Sequence, residues 1–372
     1  MEALDANELS LEQLCGQLIV GGFAATELSP RFARELSAGR RAGAILFRRN
    51  IGSIDQVARL NRSIVAAAPR DLPPFIAVDQ EGGRVARLGS PFLKLPPMRQ
   101  LGRIGQPDLT ERVAAELGAE LSVLGFNLDF APVMDVDSNP ENPVIGDRSF
   151  GREPAVVAAQ GLAVVRGLQG QGVLACAKHF PGHGDTSVDS HLALPVVTHD
   201  RNRLDQVELP PFRAAARAGV AAMMSAHVVF PALDGAVPAT FSPHICTTLL
   251  RREIGFDGLL FTDDLEMGAV AADHSIEQSA VRAVEAGCDV LLICSDEDLQ
   301  TRAHRALVQR AEREGAFADR CRAAVARSLG TRAPHRARPG SDEAIAAQVG
   351  GAQAGELLAE LAAATTGTGK DS

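Results

Sequence analysis

Apolar residues fall along this chain in two alternating textures. Short, nearly continuous apolar runs recur through the first 300 residues: QLIVGG near 17–22, AGAILF at 42–47, FIAVD at 75–79, LDFAPVMD at 128–135, VLACAKHF at 173–180, AAMMSAH at 221–227, GLLFTDD at 258–264 and DVLLIC at 289–294. Longer stretches between them, such as 109–125, 154–172 and 275–288, carry apolar residues near i, i+3 and i+4, as helices with one buried face do. Strands that are apolar at almost every position are buried on both sides, and a parallel sheet covered by its own crossover helices supplies that burial. Eight such units predict a (β/α)8 barrel of the TIM type, with a doubly wound open sheet as the alternative.

Polar residues gather where the runs end. Asp79, Asp135, Lys178 with His179, His227, and Asp263 with Asp264 stand at or just beyond the C-terminal ends of proposed strands, the face on which barrel enzymes build their sites. After residue 330 the texture changes to a basic, Pro-containing piece and an Ala/Leu segment at 342–364. The chain is therefore expected to divide into a catalytic barrel over 1–330 and a 331–372 extension made of a linker, a short helix and a flexible tail.

Composition removes several classes of function. The chain has 372 residues, 46% hydrophobic and 22% charged, which suits a soluble globular protein with a sizeable core. A net charge of −9, no basic block before residue 330 and no Trp or Tyr argue against a nucleic-acid partner. The six cysteines show no CxxC spacing and read as buried, reduced thiols. The N-terminal stretch begins acidic and lacks the layout of a secretory signal, and no window is apolar enough to span a bilayer. The expectation is a cytoplasmic protein without a membrane partner.

The stretch KHFPGHGDTSVDSH, Lys178 to His191, concentrates three of the nine histidines beside Asp185 and Asp189. Pro181 and Gly182 interrupt His179 and His183, so the pair cannot share a helix face as in HExxH, which argues against a metal site. In an extended segment Asp189 and His191 point the same way, so the carboxylate can orient the imidazole for proton transfer. A solvated loop pair is the plain alternative. In FTDDLEMGA, alternation admits only one of Asp263 and Asp264 to the site and leaves the other to cap the following helix. VDQEGGRVARL supplies Asp79 and Arg87, and GDRSFG supplies Arg148: a carboxylate beside guanidinium groups suits a polyol or sugar, although either arginine would serve equally as a surface ion-pair partner.

Taken together, VDQEGGRVARL, NPVIGDRSFG, AKHFPGHGDTSVDSH, MMSAHVVFPALD, PATFSP and FTDDLEMGA resemble glycoside hydrolase family 3 in its single-domain N-acetyl-β-glucosaminidase branch, from about Leu11 to Leu329. The resemblance implies that Asp263 is the nucleophile, that His191 is the general acid/base and that Asp189 pairs with it. It further implies that Asp79, Arg87, Arg148, Lys178 and His179 hold a non-reducing N-acetylglucosamine, with no metal or other cofactor. Larger members take an acid/base glutamate from a second domain, which a chain of this length is not expected to include.

The implied activity is retaining exo-hydrolysis of N-acetylglucosaminyl-anhydro-muropeptides during cell-wall recycling. Three rivals remain at this level: a phosphorylase using the same site, a noncatalytic sugar-binding barrel, and a metallohydrolase.

Overall fold

The computed structural model describes residues 5–187 and 194–368. Each of the eight apolar runs contributes one strand: β1 Ile19–Gly21, β2 Gly43–Leu46, β3 Phe75–Val78, β4 Leu128–Asp129, β5 Leu174–Phe180, β6 Ala222–Ser225, β7 Leu259–Asp264 and β8 Val290–Ile293. All neighbours pair in parallel and in chain order, and β1 closes on β8 through Ile19 opposite Leu291, so the sheet is a closed barrel and the open-sheet alternative is set aside.

The continuous apolar runs resolve into two interleaved sets. Inside the barrel lie Phe75 and Ala77, Leu128 and Phe130, Leu174 and Cys176, Ala222 and Met224, Leu259 and Phe261, and Val290 and Leu292. Phe75 and Phe130 meet Phe261 edge-on, with centroids 5.7 and 5.4 Å apart. The intervening residues, such as Ile76, Val78, Ala175, Met223, Leu260 and Leu291, pack outward into the helix layer. Helices Pro107–Leu124, Pro154–Gly170 and Ile276–Ala286 fall on the three amphipathic stretches. Several start on side-chain caps: Ser53, Asp296 and, in a capping box, Ser275 accept hydrogen bonds from the first turns.

Alternation then dictates what stands at the rim. Continuing the inward set by one step reaches Asp79 after Ala77, Lys178 after Cys176 and Asp263 after Phe261. The ladders slip by a residue between Lys178 and Phe180 on β5, and between β7 and β8 near Asp264. Such irregularities re-aim side chains at barrel rims. An antiparallel hairpin, Gln80–Gly82 with Val85–Ala86, follows β3 and turns through Gly82 (φ 111°) and Gly83 (φ 56°), a backbone that other residues rarely adopt.

The opposite end of the barrel is plugged by Arg332, fully buried over the Phe75 ring and donating to the Ala42 carbonyl at 2.7 Å. Beyond it, where one helix over 342–364 is expected, there are two, Asp342–Gln348 and Ala352–Thr368. Gly350, at φ 68°, breaks the run. Ile345, Val349, Ala354, Leu357 and Leu361 are buried, and the last helix packs on helices Met98–Ile104 and Pro107–Leu124.

Candidate active site

Several rim elements converge on a pocket of about 190 Å³. Asp79, at the end of β3, accepts from Lys178 Nζ at 2.8 Å, and Arg87 Nη2 lies 3.4 Å from its other oxygen. Lys178 also reaches Glu81 at 2.6 Å, and Glu81 takes Arg148 in a two-pronged pair, both contacts 2.8 Å. Arg87 keeps its buried Nε without a hydrogen-bond partner among the described residues. Asp79, Glu81, Arg87, Arg148, Lys178, His179 and Asp263 all line the pocket, beside the apolar Phe47, Phe130 and Met224. A pocket with an apolar floor and a few converging polar groups is the usual form of a small-ligand site.

Charge balance keeps this network ionised. Burial pushes the Glu81 carboxyl up, but the Arg148 and Lys178 charges outweigh it and hold it well below the usual carboxylate range. Burial likewise opposes the Lys178 ammonium, while Asp79 and Glu81 raise its pKa above the ordinary lysine value. Beneath them Asp129 is different. It is fully buried with one oxygen unpartnered, and burial pushes its carboxyl up to about 7, against a hydrogen bond from the Gln80 amide.

Asp135 organises the first half of the His-rich segment. Its carboxylate accepts the amide N–H of His179 at 3.1 Å and of His183 at 2.7 Å, and it meets His179 Nδ1 at 2.7 Å. With Nδ1 so engaged, Nε2 is the His179 nitrogen left for a ligand. Burial works against the Asp135 charge, but the interactions with His179 and His183 more than offset it and hold its pKa below the ordinary value. His183 is also at the pocket wall; burial pulls its pKa down to about 4, and Thr186 Oγ1 lies 2.8 Å from its Nδ1.

Asp263 is half-buried at the end of β7, and its Oδ1 accepts the Asp264 amide at 2.8 Å. Burial works against its charge, yet His179 and His227 hold its pKa below the ordinary value, leaving an ionised carboxylate facing the pocket. Sequence alternation admits only one of the two adjacent aspartates; both line the pocket, because the β7–β8 ladder slips there. The Asp264 carboxylate nevertheless turns to backbone, accepting from Glu266 N at 3.1 Å and Cys294 N at 3.2 Å, and burial pushes its pKa up to about 7. It ties a turn to β8 instead of capping the next helix, which begins at Gly268 without a side-chain cap.

Asp189 and His191 lie outside the described residues. What leads up to them is held firmly: Asn142 Nδ2 donates to the His183 carbonyl at 2.8 Å, and a Cβ at Gly184 would stand 1.7 Å from the Val136 carbonyl oxygen. Among the described residues one group has metal-ligand geometry, Asp185, His199 and Glu208, with donor atoms within 4.8 Å of one another. It does not line the pocket, and Arg203 stands in it, 3.4 Å from Glu208 and 4.0 Å from Asp185.

The structure thus brings Asp79, Arg87, Arg148, Lys178, His179 and Asp263 to one pocket. It adds Glu81, which the sequence reading passed over. The signal was present: Glu81 is two residues beyond Asp79, so an extended chain returns it to the same side. Asp135 was recognised as a rim residue, but its grip on two backbone amides depends on a turn that spacing alone does not reveal.

Such a pocket on such a barrel defines a small-ligand enzyme of the TIM-barrel class. The Glycosyl hydrolase family 3 N terminal domain profile matches residues 10–327, and the chain belongs to that family. A Beta-hexosaminidase of Neisseria meningitidis serogroup C is 42% identical over 289 residues, covering 76% of this chain and 79% of that protein. A family 3 beta-N-acetylglucosaminidase structure from Paenibacillus sp. str. FPU-7 has a TM-score of 0.87 at 39% identity, covering 96% of this chain and 69% of its own. NagZ from Neisseria gonorrhoeae, in complex with N-trifluoroacetyl-D-glucosamine, has a TM-score of 0.68 at 38% identity, covering 84% of this chain and 97% of its own. The protein is a glycoside hydrolase.

Proposed function

We propose that the protein is a retaining exo-β-N-acetylglucosaminidase that removes a terminal N-acetylglucosamine from cytoplasmic peptidoglycan fragments. The observation that carries the reading is the Asp263 carboxylate, kept ionised by two histidines and facing a pocket ringed by Asp79, Lys178, Arg87 and Arg148. That ring suits sugar hydroxyls, since carboxylates accept from them and the cations donate. The glucosamine-derived ligand of the gonococcal relative and the names of the other two relatives support an N-acylated sugar. Recycling of cell-wall fragments in the cytoplasm rests on the sequence resemblance.

In the first step Asp263 attacks the anomeric carbon; a carboxylate ester forms, the glycosidic C–O bond breaks, and His191 gives its proton to the departing oxygen. Asp189 acts through His191, fixing the tautomer and stabilising the imidazolium. In the second step His191 takes a proton from water as the water oxygen attacks the same carbon and Asp263 leaves, so the configuration is retained. The test is turnover of an aryl N-acetyl-β-glucosaminide against the matching glucoside. The N-acetyl substrate should be preferred by at least about tenfold, and Asp263→Ala should lower kcat by about a thousandfold or more with the melting temperature kept. Comparable activity in Asp263→Ala removes it as the nucleophile.

A further inference from the structure

Residues 341–368 lie beyond the family-matched segment 10–327, and the proposed chemistry uses none of them. They are nevertheless joined to the wall of the site. Gly350 N–H donates to Glu120 Oε1 at 2.7 Å, and the other oxygen of that carboxylate accepts Leu93 N–H at 2.7 Å. Glu120 is fully buried on helix Pro107–Leu124, so these two amides are what replace its lost water. One turn earlier Glu116 accepts from Gln348 at 2.9 Å. A single buried carboxylate therefore clips the C-terminal extension to the segment 88–97.

That segment is the backing of the Glu81 hairpin. Gly83 N–H donates to the Leu95 carbonyl at 3.0 Å, and a Cβ on Gly82 would meet the Pro96 carbonyl oxygen at 2.9 Å. On Gly83 it would meet Pro97 Cα at 2.9 Å. The extension presses from the far side, where a Cβ on Gly350 would stand 2.5 Å from the Pro91 carbonyl oxygen. Buried Leu357 and Leu361, together with the Arg112–Glu360 pair at 2.7 Å, fasten the last helix to the same region.

We propose that Glu120 and the Gly350 turn are positioning residues for substrate binding: they fix segment 88–97, and through it the hairpin whose Glu81 holds Lys178 and Arg148. This rests on the reading of that ring as the sugar-binding site. The effect belongs in KM, because the hairpin grips the sugar in ground and transition states alike and stands apart from the bond that breaks.

The test uses full-length Glu120→Gln and Gly350→Ala, with Leu307→Ala on the distant helix Glu297–Arg313 as a variant of similar melting loss. Well below the melting temperature, each of the first two should raise KM for an aryl N-acetyl-β-glucosaminide about fivefold or more, with kcat within about twofold, equally for good and poor leaving groups. The double variant should add little, since both changes cut one tie. Amide exchange over 80–86 should quicken in both variants and not in Leu307→Ala. Unchanged exchange in the hairpin, or an equal KM rise in Leu307→Ala, overturns the proposal. Faster hairpin exchange in a protein whose parent turns over no N-acetyl-β-glucosaminide would instead retain the mechanical link and remove the sugar-site reading.

Discussion

At the scale of single residues, the neighbours of each carboxylate decide whether it stays ionised or tends to keep its proton. Glu81 is ionised because Arg148 and Lys178 face it, and Asp263 is held below its ordinary value by His179, His227 and the Asp264 amide; Asp129 is pushed up to about 7 because burial outweighs the Gln80 amide and the Lys178 charge. In the unfolded chain Asp129 ionises at about 3.9. Between that value and 7 the unfolded state releases a proton that the folded state keeps, so this group costs stability as pH rises through the window. Asp129→Asn retains the acceptor for Gln80 and removes the titration. Its melting temperature relative to the parent should climb between pH 4 and pH 7, and a pH-independent difference in thermal melts would show that Asp129 is ionised in the fold. A general acid matters most when the leaving group is poor. His191→Ala should cripple a natural disaccharide while slowing glycosylation by an activated nitrophenyl leaving group much less, and Asp189→Ala should follow the same pattern. Equal impairment in pre-steady-state measurements would make His191 a binding residue.

At the scale of elements, the strands act as rulers. A period of two sends Phe261 into the barrel and, one step on, Asp263 to its mouth, so packing at the centre sets the height of chemistry at the rim. Phe261 touches both Phe75 and Phe130. Phe261→Ala should cost about 3–5 kcal/mol in chemical denaturation, from lost contacts and the cavity left behind. The rulers also slip where the site needs it: Lys178 and His179 are consecutive yet both line the pocket, and so are Asp263 and Asp264. Strict alternation forbids this, which is why the sequence reading admitted one aspartate. The C-terminal segment misled for a similar reason. Its Ala/Leu composition suggests one helix, but Gly350 has a backbone role, turning at φ 68° so that its N–H reaches Glu120, and composition does not carry that information.

At the scale of the whole molecule, the charge of the pocket carboxylates is balanced by side-chain cations. Lys178, Arg148 and Arg87 neutralise the carboxylates at the pocket, and Arg203 stands within the Asp185, His199, Glu208 group. Extensive chelation should therefore leave turnover unchanged; loss on chelation with recovery on added Zn²⁺ would reverse that expectation. Among the described residues no helix is long and apolar enough to cross a membrane. The barrel itself was legible along the chain, because burial on both faces writes each strand as an apolar run and each helix as a stripe, and both are local patterns. So was much of the candidate site, since Asp79, Lys178 and Asp263 stand at or near the C-terminal ends of those runs. Tertiary structure alone decided the rest: that Glu81 sits between Lys178 and Arg148, that Asp135 clasps two histidine amides, and that Gly350 and Leu93 share one buried carboxylate. Each of these joins positions far apart along the chain, and whether a charge is paired or stranded depends on distances of a few ångströms that no local pattern encodes.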